Sequence, residues 1–95
     1  MWYGMEFKEI LKIENEEERE EAVNWYLRQV EESLDDISNR FCELKGGERI
    51  RITLEREVFI AFADWYGKFN DIQAATPYHP HRWFIYEELI IEEGD

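Results

Sequence analysis

Between Asn15 and Cys42 the apolar residues Val23, Tyr26, Leu27, Val30, Leu34, Ile37 and Phe41 recur at helical spacing. A helix places such a set on one stripe, so this stretch commits the middle of the chain to a single amphipathic rod. Asn15 supplies an N-cap, and Glu18 stands three residues on, where a capping box needs it. Glu16, Glu17 and Glu18 suit the positive end of the helix dipole. Gly46-Gly47 offers the left-handed backbone that closes a helix. At about 1.5 Å per residue the rod is roughly 40 Å long. Asp35-Asp36-Ile37-Ser38-Asn39 are weak helix formers, which leaves a kink or an early stop open there.

The far side of this helix carries the candidate site. Winding at about 100° per residue sets Glu18, Glu21, Glu32 and Asp36 away from the apolar stripe, with Trp25 among them and Asp35 beside them. A tryptophan amid carboxylates has two readings. Either it packs beneath another element, or it is an exposed anchor with an acidic surround, tryptophan being a frequent interface hot spot. The candidate partner-binding set is therefore Glu18, Glu21, Trp25, Glu32, Asp35 and Asp36.

Charge decides which partners are plausible. The chain of 95 residues has 23 acids, 11 bases and a formal net charge of −12. That disfavours direct binding to nucleic acid or to anionic membranes and favours a basic protein. The charge is uneven: residues 14–43 hold eleven acids and three bases, and residues 87–95 hold five acids and no base. The acidic field is thus expected from the helix and a frayed acidic end, Glu92-Glu93-Gly94-Asp95. Aromatic content of 16% excludes a disordered acidic tail.

The rest of the chain reads as one α+β domain of order β-α-β-α-β, two helices on a small, mostly antiparallel sheet. Residues 5–13 are apolar enough for a first strand, with a bulge or a short helix as alternatives. Ile50, Ile52 and Leu54 alternate with Arg49, Arg51 and Thr53, the clearest strand, with a cationic outer face. Val58, Ala61, Phe62, Trp65, Tyr66 and Phe69 keep helical spacing, so 55–69 is read as helix in preference to strand. Residues 70–81, with Pro77 and Pro80, form a loop. Residues 82–91 form one final strand, apolar on both faces at its start.

Chemistry-bearing patterns are sparse. His79 and His81 lack further ligands at metal spacing, so no metal or cofactor is expected. The histidines are expected in a loop near the helix's negative field. Cys42, the single cysteine, cannot form an intrachain disulfide and would sit at a helix C-terminus, which does not activate a thiol. No glycine-rich phosphate loop is present. No enzyme is expected. No apolar run approaches a membrane span and no leader is recognisable, which sets a cytoplasmic location as the expectation.

These readings point to a small acidic inhibitor that occupies a basic, nucleic-acid-binding surface of a partner such as a nuclease. Phage-type anti-defence or anti-CRISPR inhibitors of this size and charge fit that description. The alternatives are a toxin-neutralising immunity protein or antitoxin and, since nine Trp and Tyr residues are many for one small core, a subunit of a homo-oligomer.

Overall fold

A computed structural model describes residues 4–41 and 50–94. Asn15 does cap the long helix: the Glu18 amide donates to its Oδ1 at 3.0 Å. That helix, α2, then runs unbroken over Glu16–Phe41. The weak formers at 35–39 do not stop it, because packing overrides propensity there. Leu34 and Ser38 are buried, and Asp35 is held by the Tyr86 hydroxyl at 2.6 Å. The glycine stop at 46–47 lies outside the described residues.

The first element is a correction. A strand is expected over residues 5–13, but Phe7–Ile10 form a one-turn helix, α1. Phe7 and Ile10 are both buried, and residues three apart share a face on a helix but lie on opposite faces of a strand. Phe7 packs its ring 5.1 Å from Tyr26 of α2.

Ile50–Leu54 form β1. Arg56–Tyr66 form α3, the helix favoured at 55–69, which Gly67 closes with φ of 80°. A short 3-10 turn follows at Phe69–Asp71. The expected single last strand is in fact a hairpin of β2 (Trp83–Tyr86) and β3 (Leu89–Glu93). Its connection is Glu87-Glu88, with Glu87 at φ of 50°. Neither residue advertises a turn, since a positive φ normally selects glycine or asparagine.

The three strands make one sheet of order β1-β3-β2. β1 runs parallel to β3, with Ile52 opposite Ile91, and β2 runs antiparallel to it, with Phe84 opposite Ile91. The architecture is α+β, with a sheet that is mixed rather than mostly antiparallel. Parallel neighbours need a crossover, which α3 and the loop after it supply.

The core lies between the helices and one sheet face. Leu27 and Leu34 of α2, Phe59, Phe62 and Ala63 of α3, and Phe84, Tyr86, Leu89 and Ile91 of the hairpin are buried together. Phe62 sits at its centre, stacked 5.9 Å from Tyr66 and tilted 5.6 Å from Tyr86. The strand read as apolar on both faces buries only one: Phe84 and Tyr86 face inward, while Ile85 is 42% exposed. No described helix is long and apolar enough to cross a membrane.

Candidate functional site

The cap and first turn of α2 present Glu16, Glu17 and Glu18 in solvent, and Glu21 and Glu32 are likewise exposed. Asp36 is exposed too and pairs along the helix with Arg40 at 3.1 Å. Such a solvated pair contributes little and leaves the carboxylate accessible. Trp25 is half-buried on this side and is engaged within the fold, so it lies between its two sequence readings.

Asp35 stands apart from the other five. It is half-buried and accepts the Tyr86 hydroxyl, tying α2 to β2. Burial, that hydrogen bond and the charges of Asp35, Glu31 and Glu87 all raise the Tyr86 pKa, so the phenol stays protonated and donates.

The arginines decide how much of the acidic face is neutralised from within. Arg82 donates through Nε to Glu93 Oε1 at 2.9 Å and through Nη2 to Oε2. Arg56 lies 3.8 Å from the same carboxylate. Its hydrogen bond to Arg82 holds Glu93 below the usual carboxylate range, against the opposing effect of burial. Arg51 meets Glu92 at 2.8 Å. The contact is an ion pair without hydrogen-bond alignment, since the buried Glu92 Oε1 accepts no hydrogen bond among the described residues. Of the cationic face expected on β1, Arg49 lies outside the described residues, and Arg51 is spent on β3. So is part of the acidic end: Glu92 and Glu93 are not frayed but close the central strand, buried and paired. Among the described residues, the only ion pair on α2 is Asp36 with Arg40.

The histidines also differ from expectation. His79 faces the sheet rather than α2, its ring 5.0 Å from Trp83 and its Nδ1 3.8 Å from Glu92. Nδ1 also contacts the Arg51 guanidinium. Among the described residues no group of three or more His, Cys, Asp or Glu is placed to hold a metal. Cys42 lies outside the described residues.

Comparison with protein-family models, with curated proteins and with solved structures found no match.

One feature was not read from the sequence. A groove of about 400 Å³ opens between the three helices, with Phe7, Leu11, Val23, Ile60, Ala61 and Phe69 along it. Glu57 and Asp64 also line it. Its signal was present on α3: Glu57, Ile60, Ala61 and Asp64 stand at i, i+3, i+4 and i+7, one helix face with acids at both ends. On the same helix the apolar stripe that includes Val58 and Phe62 is the stronger periodic pattern.

Proposed function

We propose that this chain is an acidic binding protein whose α2 lays Glu18, Glu21, Glu32 and Asp36 on a basic surface of a partner protein. The surface is one that otherwise holds nucleic acid, and its occupation inhibits the partner. The observation that carries this reading is the division of charge. The arginines of β1, α3 and the 72–82 loop pair with Glu92 and Glu93, while Glu18, Glu21 and Glu32 remain exposed on α2.

Charge density sets the scale of the competition. Residues 16–41 hold nine acids and three bases, a net of −6. Over a helix of about 39 Å that is roughly one net charge per 6–7 Å. Duplex DNA carries one per ~1.7 Å and a single strand one per ~3.4 Å. The helix therefore replaces a few phosphates along one strand, and apolar contacts must contribute the rest of the affinity.

The test is affinity capture from a lysate with three readouts. The captured protein should elute progressively as salt rises, be displaced by a DNA oligonucleotide, and be lost with an E18Q/E21Q/E32Q/D36N variant. Retention that ignores both salt and the four substitutions overturns the reading.

A further inference from the structure

The apolar groove between the helices has acids on its α3 wall, and a pocket that adjoins it on the α2 side has another. On α2, Glu16, Glu20 and Val23 follow at i, i+4 and i+7, so the stripe that is apolar from Val23 onward is acidic in its first turns. Glu20 and Val23 line a pocket that shares Leu11 with the groove. On α3, Glu57 and Asp64 bracket Ile60 and Ala61. Among the described residues that line the groove and this pocket, the cation is Arg19, which donates to the Ile13 carbonyl at 3.1 Å. Leu11 and Phe69, at 42% and 52% exposed, stand at the groove as large apolar side chains in solvent.

We propose that this groove receives a basic amphipathic helix of the partner protein. Apolar side chains on one face of that helix enter between Leu11 and Phe69. Lysines or arginines flanking them meet Glu20 on the α2 side and Glu57 and Asp64 on the α3 wall. The recognition is helix-in-groove, with anchors at i, i+3, i+4 and i+7. Charge complementarity selects this occupant: an acidic or neutral helix would leave the wall carboxylates unpaired against apolar surface. The inference rests on the reading that α2 meets a basic partner, and supplies the apolar contact that the sparse charge of α2 lacks.

The test uses three synthetic peptides of about five helical turns. One has leucines on a single stripe and lysines elsewhere. The second has the same composition scrambled, so that no stripe forms. The third replaces every lysine with glutamate. Binding is read by calorimetry, and the site by amide shifts over residues 57–64. The striped basic peptide should bind roughly tenfold tighter than the scrambled one, the equivalent of one good anchor. L11S/F69S should erase that difference and leave scrambled-peptide binding unchanged; both side chains are exposed, and circular dichroism checks that the fold persists. E20Q/E57Q/D64N should weaken the striped peptide. Equal binding of striped and scrambled peptides overturns the inference. So does equal binding of the glutamate peptide, or self-association in sedimentation that L11S/F69S abolishes. Failure of the α2 reading is separate: it appears as scrambled-peptide binding that E18Q/E21Q/E32Q does not change.

Discussion

Glu93 is paired with both Arg82 and Arg56, and the sign of that coupling fixes a pH dependence. Arg82 holds its carboxyl below the ordinary value, so the folded state prefers the ionised form more than the unfolded state does. The contribution is fully present above the unfolded carboxylate pKa, near 4.5, and is lost as pH falls from there through the lowered folded value. Because Arg82 is 45% exposed, solvent screening keeps the coupling modest. Urea midpoints of the parent and Glu93→Gln should therefore differ at pH 7 and converge below the lowered Glu93 pKa. The residue scale is also where the sequence misleads most. Glu92 and Glu93 read as solvated end charges, yet β3 is the central strand and its last residues lie beneath arginines from both sides. Counting charges shows how many there are but not which ones meet.

At the scale of elements, α2 is the part that local rules describe best. Its cap, its first-turn acids and its stripe all act within a few residues, so each is legible without a tertiary structure. Removing the cap tests that locality. Asn15→Ala should cost about 1 kcal/mol, read as a lower midpoint in chemical denaturation, because the Glu18 amide loses its acceptor. The two misread elements fail for different reasons. Residues 5–13 hold too few turns for period to separate helix from strand, and it is burial against Tyr26 that favours α1. The hairpin was missed because Glu87 takes a left-handed backbone that glycine or asparagine usually occupies, so the turn left no mark in composition.

Across the whole molecule, one aromatic cluster joins every layer. Phe62 of α3 meets Tyr66, Phe84 and Tyr86, and Tyr86 reaches Asp35 of α2. Phe62→Ala should cost about 3–5 kcal/mol, a large share of the roughly 5–14 kcal/mol expected for a domain of this length. Far-ultraviolet and near-ultraviolet dichroism should then lose their signals in one coincident transition at reduced denaturant. Separate transitions would show that α2 folds apart from the sheet. The molecule measures 46 × 29 × 21 Å, and α2, at about 39 Å, nearly matches the longest dimension. Its acidic side is thus as long a surface as this fold can offer.

Sequence alone determined the α+β class, α2 with its cap, β1, α3, and the side of α2 on which the acids gather. All of these follow from spacing along the chain, which bond geometry converts directly into a face. Tertiary structure decided the rest. It placed Asp35 under the Tyr86 hydroxyl, turned His79 onto Trp83 and Arg51, gave the arginines to Glu92 and Glu93, and opened an acid-walled groove between three helices. Those contacts join residues far apart in the chain, and their partners are set by strand order and helix packing, which no local period encodes.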